Sequence, residues 1–252
     1  MNETKFDGMG KIYAQFRPSY PKEFIEYLYS QIGIDTHSVI ADIGSGTGIL
    51  TRLLLERGNR VYAVEPNEDM RITAENDLHL LNNFVSVNAT AESTTLAEQS
   101  VAYITVAQAF HWFDRQRFKS ECRRILKPGG KVILVWNSRI FSTEVVKEGD
   151  EINRRYCPLF KGFSGGMRGA ESDNDFYDFF MGKYEIRVFQ NDQPFDIDSF
   201  IGRNLSASYA PKESDGNYTD YIAELRRLFD KYSTNGQLVM PNETKSYVGV
   251  VL

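Results

Sequence analysis

The chain has 252 residues, of which 42% are hydrophobic and 25% are charged, and its formal net charge is −5 at pH 7. These values are ordinary for a folded globular protein and allow one large domain, or one domain with an insertion. A mildly acidic chain without a long Lys/Arg block argues against a surface that follows a nucleic-acid backbone, so no nucleic-acid partner is expected.

The cysteine spacing and the absence of signal-peptide and transmembrane patterns predict a cytoplasmic protein. Cys122 and Cys157 form neither a Cys-x-x-Cys pair nor a metal-ligand spacing, which predicts two reduced thiols and no metal site. The N-terminus lacks the basic and then apolar pattern of a signal peptide, and no apolar run approaches transmembrane length. We therefore expect neither export nor a membrane partner.

The N-terminal part is predicted to be an extended segment followed by a helix. Residues 1–20 are aromatic and basic, and the prolines at positions 18 and 21 keep the chain extended there. Apolar residues then recur at helical spacing up to Gly33, which predicts a helix that ends at this glycine.

Strands and helices alternate from residue 39 to residue 137. Asn67 and Asp114 are expected to cap the helices after the second and fourth strands, because such side chains accept hydrogen bonds from the free amides at a helix start. This alternation is typical of a parallel sheet with helices on both faces. The predicted strands are 39–43, 60–64, 84–87, 101–106 and 131–136, with a turn at 127–130.

The alternation ends after residue 137. Residues 140–182 show no clean period, so no helix or strand is predicted for most of this stretch. A sixth strand near 185–189, a helix near 219–231 and a last strand at 246–252 complete the pattern.

The segment VIADIGSGTGIL, residues 39–50, joins a strand to a helix through three closely spaced glycines. Such a turn lets a ligand approach backbone amides at a helix N-terminus. A P-loop is excluded because no lysine follows, and a dinucleotide fingerprint fits poorly because its third position falls on Ile49 or Thr51. Asp42 would repel a pyrophosphate but suits a cation, so the loop is expected to bind a positively charged ligand.

The motif Asp42-Ile-Gly-Ser-Gly-Thr-Gly48 resembles motif I of class I S-adenosylmethionine-dependent methyltransferases. Three further segments resemble that family in the expected order. Glu65, at the end of the second strand, is similar to the acidic residue that holds both ribose hydroxyls. Residues 90–92 resemble the segment that lines the adenine, and Leu126-Lys-Pro-Gly-Gly130 resembles the turn before the fifth strand.

The flanking segments resemble one subgroup of that family. Tyr13-x-x-x-Arg17-Pro-x-Tyr20-Pro21 and the run AQAFHWF at 107–113 are similar to the small-molecule subgroup that includes trans-aconitate methyltransferase-like proteins, also called methyltransferase type 11. The resemblance is strongest over residues 10–137 and continues more weakly to the C-terminus, through Ser206-Ala-Ser-Tyr209.

The resemblance implies a Rossmann-like, seven-stranded mixed sheet of the α/β class, mostly parallel with an antiparallel last strand and with helices on both faces. It implies one methyltransferase domain over residues 1–252. The expected parts are an N-terminal lid segment (1–30), a cofactor-binding core (31–137), a substrate-region insertion (138–215), and a C-terminal helix with the last strand (216–252).

The resemblance also implies a cofactor, S-adenosylmethionine, with S-adenosylhomocysteine as the product. The methionine part is expected along the glycine loop and the ribose on Glu65. Methyl transfer from a sulfonium is an in-line displacement, so alignment of the acceptor provides most of the catalysis and no enzyme nucleophile is needed. The expected cofactor residues are Asp42, Gly44, Ser45, Gly46, Thr47, Gly48, Glu65, Pro66, Met70, Ala91, Glu92 and Gln108.

The acceptor side is expected to be a small-molecule site that the lid covers and screens from water. Tyr13, Tyr20, Phe110 and Trp112 are candidates for cation–π contact with the sulfonium, with core packing as the alternative for each ring. Arg17 could bind an acidic acceptor through its planar fork, or it could make a salt bridge within the N-terminal segment.

His111, just after the fourth strand, is the candidate catalytic residue. It could deprotonate a hydroxyl or amine acceptor. The alternative, which we favour, is a packed ring that positions Trp112 and Phe113, because a carboxylate acceptor needs no base.

Two other functions are compatible with this fold. One is a nicotinamide-dependent oxidoreductase, which the glycine spacing and Asp42 disfavour. The other is a catalytically silent protein that holds the cofactor or a metabolite. The motifs specify neither the acceptor atom nor the oligomeric state.

Overall fold

The computed structural model describes residues 18–163, 176–207 and 209–251. The strands are β1 Val39–Ile43, β2 Arg60–Val64, β3 Phe84–Val87, β4 Val101–Ala107, β5 Leu126–Arg139, β6 Tyr184–Gln190, β7 Gln193–Phe195, β8 Leu238–Met240 and β9 Asn242–Gly249. The helices are α1 Lys22–Tyr27, which continues as a π-helical turn over Leu28–Ile32, α2 Ile49–Glu56, α3 Glu68–Leu78, α4 Arg115–Ile125, α5 Glu144–Tyr156, α6 Ile197–Leu205 and α7 Tyr218–Tyr232.

Seven strands form one mixed sheet in the order β3-β2-β1-β4-β5-β9-β6. Strands β1 to β5 pair in parallel, whereas β9 runs antiparallel to both of its neighbours, β5 and β6. The predicted fold class is therefore confirmed. The order reverses between β1 and β4, and the carboxyl ends of strands at such a switch point form the usual ligand crevice of an open α/β sheet.

Successive side chains of β5 pack into two different cores, one on each face of the sheet. Val132 and Leu134 belong to a cluster with Phe118 and Cys122 of α4. Ile133 and Val135 belong to a second cluster that contains apolar residues of α1, α2 and α3. This alternation is what a strand produces when helices cover both faces.

A third core belongs to a helical lobe beside the sheet. It joins Val146 of α5, Phe200 of α6, Leu225 of α7 and Leu238 of β8. Strands β7 and β8 pair as a separate two-stranded sheet next to these helices. The lobe draws on the expected insertion at 138–215 and also on the segment at 216–252. The division of the chain into four parts stays a proposal.

Several elements differ from the sequence-based prediction. Helix α5 lies in the stretch for which no helix or strand was predicted. It was missed because two of its four buried residues, Asp150 and Asn153, are polar and interrupt the apolar period. The last strand begins at Asn242 and ends at Gly249, earlier than the predicted 246–252. Residues 127–130, predicted as a turn, lie within β5 and interrupt its pairing with β4. Leu126 pairs with Val101, and the next paired residue of β5 is Lys131, which pairs with Tyr103.

Within the described part of the chain, no helix combines the length and the apolar character that crossing a membrane requires. The same residues contain no cluster of three or more His, Cys, Asp or Glu side chains that could hold a metal ion.

Candidate cofactor site

The glycine loop connects β1 to α2 in a backbone conformation that glycine favours. Gly44, Gly46 and Gly48 have φ angles of 67°, 56° and 82°, in the left-handed region that costs other residues about 1–2 kcal/mol each. A Cβ at Gly44 would lie 2.6 Å from the Cβ of Ala109, just beyond β4. The loop therefore lies against the end of β4, at the switch point of the sheet.

Glu65, directly after β2, binds the glycine loop. Its Oε2 accepts a hydrogen bond from the Gly46 amide at 2.9 Å, and its Oε1 accepts one from the Asn67 amide at 2.8 Å. Burial raises the pKa of Glu65, while the amides of Asn67 and Gly46 and the charge of Arg71 act in the opposite direction. Each carboxylate oxygen can still accept a second hydrogen bond, so the group has capacity for ligand hydroxyls.

Asp42 lies under the loop, near the end of β1, and its side chain is fully buried. Its Oδ2 accepts from the Thr51 hydroxyl at 2.6 Å and its Oδ1 from the Thr105 hydroxyl at 2.8 Å. Burial is the largest cause that raises the pKa of Asp42 to about 6, and the charge of Glu65 adds to it, against the two hydroxyl bonds. The two threonines were not singled out from the sequence, because neither belongs to a recognisable motif.

Two hydroxyl groups of the loop are buried without a hydrogen-bond partner in the structure. They are the Oγ of Ser45 and the Oγ1 of Thr47, on residues that are 9% and 5% exposed. A buried hydroxyl normally has a partner, because leaving it unpaired costs about 1–3 kcal/mol. A Cβ added at Gly46 would meet no atom within 4 Å apart from those of its two chain neighbours, so the loop has open space at Gly46.

The other predicted cofactor residues lie in segments next to the glycine loop and Glu65. Met70 is buried at the start of α3, where its amide donates to the Asn67 cap, and Ala91 is also buried. Glu92 accepts from the Asp114 amide at 2.9 Å, which joins the segment after β3 to the start of α4. Pro66 is half-buried beside Glu65.

Gln108 has a strained backbone at the carboxyl end of β4. Its φ of 60° lies in the left-handed region, which is uncommon for residues other than glycine. Its side-chain amide donates to the Asn137 carbonyl at 3.1 Å, and its own amide donates to Val135. The residue thus sits between the ends of β4 and β5, beside the loop.

Three of the four candidate aromatic residues lie within the described part of the chain. Phe110 is 1% exposed and its ring packs in the core, 4.9 Å from the ring of Phe179, which agrees with the core-packing alternative for this residue. Trp112 is 40% exposed, and Tyr20 is buried with its ring 5.8 Å from that of Phe24. Tyr13 lies outside the described residues, as does the candidate acceptor-binding residue, Arg17.

His111 lies in a short 3-10 turn over Phe110–Trp112. Its ring is half-buried, and its centroid is 4.5 Å from that of Trp112 in a tilted arrangement. This contact agrees with the packing alternative as far as Trp112 is concerned, and the role of His111 stays a prediction. The turn follows the end of β4, so His111 is also near the ligand crevice.

A polar cluster, formed by Asn137, Asn191 and Thr244, fixes the chain at residues 18–19. The Oδ1 of Asn137 accepts from Thr244 at 2.5 Å and from Asn191 at 3.1 Å. The side-chain amides of Asn137 and Asn191 donate to the Ser19 carbonyl, at 3.2 Å and 3.0 Å. The cluster lies at the carboxyl ends of β5 and β6, so the N-terminal segment enters the described structure at the edge that carries the glycine loop.

The family profile described as a methyltransferase domain matches residues 41–134, which include the glycine loop, Glu65 and most of the parallel sheet. Over these residues the chain is similar to a methyltransferase domain. The strand order agrees with the Rossmann-like sheet that the class I resemblance implies. The narrower likeness to trans-aconitate methyltransferase-like proteins stays a prediction.

Similar sequences are also methyltransferases by name. An uncharacterized methyltransferase of Mycobacterium tuberculosis is 40% identical over 140 residues, which are 56% of this chain and 55% of the relative. An uncharacterized methyltransferase-like protein of Schizosaccharomyces pombe is 32% identical over 148 residues, 57% of this chain and 56% of the relative. The chain thus matches about half the length of these curated relatives.

Solved structures share the fold of the methyltransferase domain. A candidate type II methyltransferase from Anaeromyxobacter dehalogenans has a TM-score of 0.68 at 22% identity, and covers 94% of this chain and 99% of its own. Phosphoethanolamine N-methyltransferase 2 of Haemonchus contortus, solved with phosphomonomethylethanolamine and S-adenosylhomocysteine, has a TM-score of 0.55 at 17% identity, over 99% of this chain and 58% of its own. At these identities the likeness establishes the fold.

Proposed function

We propose that this protein transfers the methyl group of S-adenosylmethionine to a small-molecule acceptor by in-line displacement. The observation that carries the proposal is the joint placement of the glycine loop and two buried carboxylates. Glu65 contacts the loop, Asp42 lies beneath it, and the hydroxyls of Ser45 and Thr47 have no partner in the structure. When bound, S-adenosylmethionine would supply an activated methyl group on a good leaving group.

The chain's own residues would bind and orient that cofactor. Glu65 would accept hydrogen bonds from the ribose hydroxyls, and Ser45 and Thr47 would bond the polar groups of the methionine part. The negative charge of Asp42 would favour a cation over a phosphate, because charges interact strongly where water is excluded. Pro66, Met70, Ala91, Glu92 and Gln108 would surround the rest of the ligand.

The acceptor is proposed to be a small molecule and not a nucleic acid. The net charge of −5 disfavours a polyanionic partner. The N-terminal segment, predicted as residues 1–30, is proposed to cover the site with the part that precedes α1, because α1 itself packs into the core on one face of the sheet. Asn137 and Asn191 support this proposal, because they hold the Ser19 carbonyl at the carboxyl edge of the sheet.

Ligand binding and turnover test this function in two steps. S-adenosylhomocysteine should raise the melting temperature, whereas NAD should not; the opposite pattern would favour an oxidoreductase. Incubation of the protein with labelled methyl donor and a metabolite extract should then label a small molecule. Binding without labelled product would instead indicate a protein that only holds the cofactor.

The affinity for S-adenosylhomocysteine should rise with pH up to about pH 6 and then level off. Burial raises the pKa of Asp42 to about 6, so this carboxyl is protonated below that pH and negative above it. A ligand with an ammonium group binds the ionised form better, so affinity is lost as the pH falls. We expect a decrease of about three- to tenfold per pH unit below the pKa, measured by titration calorimetry.

The Asp42→Asn variant is the control for this pH dependence. Glu65 also has a raised pKa and contributes to the slope, so the variant should show a shallower profile and not a flat one. An unchanged slope in Asp42→Asn would show that Asp42 does not sense the ligand's charge.

We expect His111 to position its neighbours, so turnover should survive its replacement. In His111→Gln, an amide keeps part of the volume but cannot act as a base near neutral pH. If the ring mainly supports Trp112, the turnover measured with labelled donor should stay within a few-fold of the parent value. A loss of about a hundredfold or more would assign the general-base role to His111.

A further inference from the structure

Strand β6 is one of the two edge strands of the seven-stranded sheet, and both of its faces are largely exposed. Among the described residues it pairs with β9 on one side and with no strand on the other. Ile186 and Val188 are 47% and 54% exposed. An open edge with exposed apolar side chains is a template for pairing with another strand.

The two faces of β6 have different chemistry. Phe189 contacts the rings of Phe24 and Tyr27 in α1. Because alternate side chains of a strand point to the same face, Glu185 and Arg187 also point to the α1 side. These two residues form an ion pair, with the Arg187 Nε 2.6 Å from the Glu185 Oε1. The opposite face carries the apolar side chains Ile186 and Val188.

From this edge we propose that two copies of the chain pair antiparallel through β6, about a twofold axis at Ile186, into one continuous sheet. In that register Glu185 lies opposite the partner's Arg187, and Arg187 lies opposite the partner's Glu185. Opposite charges in directly opposed positions of antiparallel strands stabilise the pair, whereas like charges destabilise it. A twofold interface needs such self-complementarity.

The apolar face is self-complementary in the same register. Ile186 lies opposite the partner's Ile186, and Tyr184 lies opposite the partner's Val188. Aromatic and β-branched side chains are favourable cross-strand partners. Moving the axis by one residue, to Glu185 or to Arg187, would place two like charges directly opposite each other, so the charges disfavour these two neighbouring registers.

A shallow groove beside the edge adds a third complementary feature. It lies between α1 and β6 and is lined by Glu23 and Glu26 together with Phe189. In the proposed register the exposed lysine at position 183 of the partner would lie opposite Phe189, on the same face as the two glutamates. The groove would then hold a cation beside two carboxylates.

Pairing at β6 leaves the cofactor site open. The glycine loop follows β1, which is four strands away from β6 in the sheet. The dimer is therefore independent of the proposed methyl transfer, and its test does not need the methyl acceptor.

Sedimentation velocity on four samples tests the dimer. The parent protein should sediment as a concentration-dependent dimer. Glu185→Arg and Arg187→Glu should each weaken association by at least about tenfold, because each change places like charges opposite each other twice per dimer. An equimolar mixture of the two variants should recover the dimer, because the first then presents two arginines to two glutamates of the second.

Recovery in the mixture separates a lost contact from a misfolded variant. Arg226→Glu, an equal charge change at an exposed position of α7, is the control and should dimerise like the parent. Ile186→Lys should also be monomeric, since two lysines would meet at the axis. A monomeric parent protein, or a dimer that none of the β6 variants weakens, would overturn the proposal.

Discussion

Replacing Gly44 by alanine is expected to destabilise the protein by about 2–5 kcal/mol, from left-handed strain of about 1–2 kcal/mol and overpacking of about 1–3 kcal/mol. The strain arises because φ at Gly44 is 67°. The overpacking arises because the new methyl group would lie 2.6 Å from the Cβ of Ala109 and 3.1 Å from the ring of Phe113. Neither Ala109 nor the packed ring of Phe113 is a flexible chain end that could move aside.

Urea unfolding with a matched glycine variant separates the two contributions. Gly129 has a φ of 80°, but an added Cβ there would meet no atom within 4 Å. Gly129→Ala should therefore cost only the strain, about 1–2 kcal/mol. Equal losses in the two variants would contradict the close approach of the loop to the end of β4. Gly44→Ala should also bind S-adenosylhomocysteine more weakly, because the added methyl group would displace the loop on which the cofactor is proposed to bind.

Replacing Glu65 by alanine is expected to weaken binding of S-adenosylhomocysteine by about fivefold to 150-fold, from a loss of about 1–3 kcal/mol. The carboxylate bonds the amides of Gly46 and Asn67, and its remaining lone pairs are proposed to take the ribose hydroxyls. Alanine removes all of these acceptors at a position that is 9% exposed. Titration calorimetry measures the change directly.

Two further variants make the Glu65 experiment specific. Glu65→Gln retains one oxygen acceptor and should lose less affinity than alanine. Glu56→Ala removes an exposed carboxylate at the end of α2 and should bind like the parent protein. If Glu65→Ala binds with unchanged affinity, the ribose assignment is wrong, and the carboxylate serves only to hold the loop.

We expect the site to favour a cationic ligand over a diphosphate. Asp42 is buried at the end of β1 next to the loop, and its carboxylate raises the cost of bringing an anion there. The Gly46 amide, which a phosphate-binding loop would offer to its ligand, already donates to Glu65. These contacts favour the methyl-donor function over the nicotinamide-dependent alternative.

Local patterns in the sequence were sufficient for much of the parallel sheet. The bounds of β1, β2 and β3 are as predicted, because each strand is a short apolar run that ends at a glycine, proline or polar residue. Asn67 and Asp114 cap α3 and α4 as expected, since a cap bonds amides only two or three residues along the chain. The glycine loop was located from the same local pattern, and glycine permits the positive φ angles that the structure has there.

Contacts between distant residues were decided by the tertiary structure. Asp42 bonds Thr51 and Thr105, which are 9 and 63 positions away, and the sequence gives no sign of this pairing. Asn137 and Thr244 are 107 positions apart and meet only because β9 pairs with β5. The sequence left two roles open for Phe110, contact with the sulfonium or core packing, and only the fold shows that its ring is buried among other rings.

The amino-acid sequence by itself determined the alternation of strands and helices, the caps and the position of the glycine loop between β1 and α2, because each depends on residues within a few positions of one another. The folded chain alone decided which hydroxyls meet the buried carboxylate of Asp42, which face of α5 is buried, and where residues 18–19 are held. Those features depend on burial and on pairing across the sheet, and neither is encoded in a short stretch of chain.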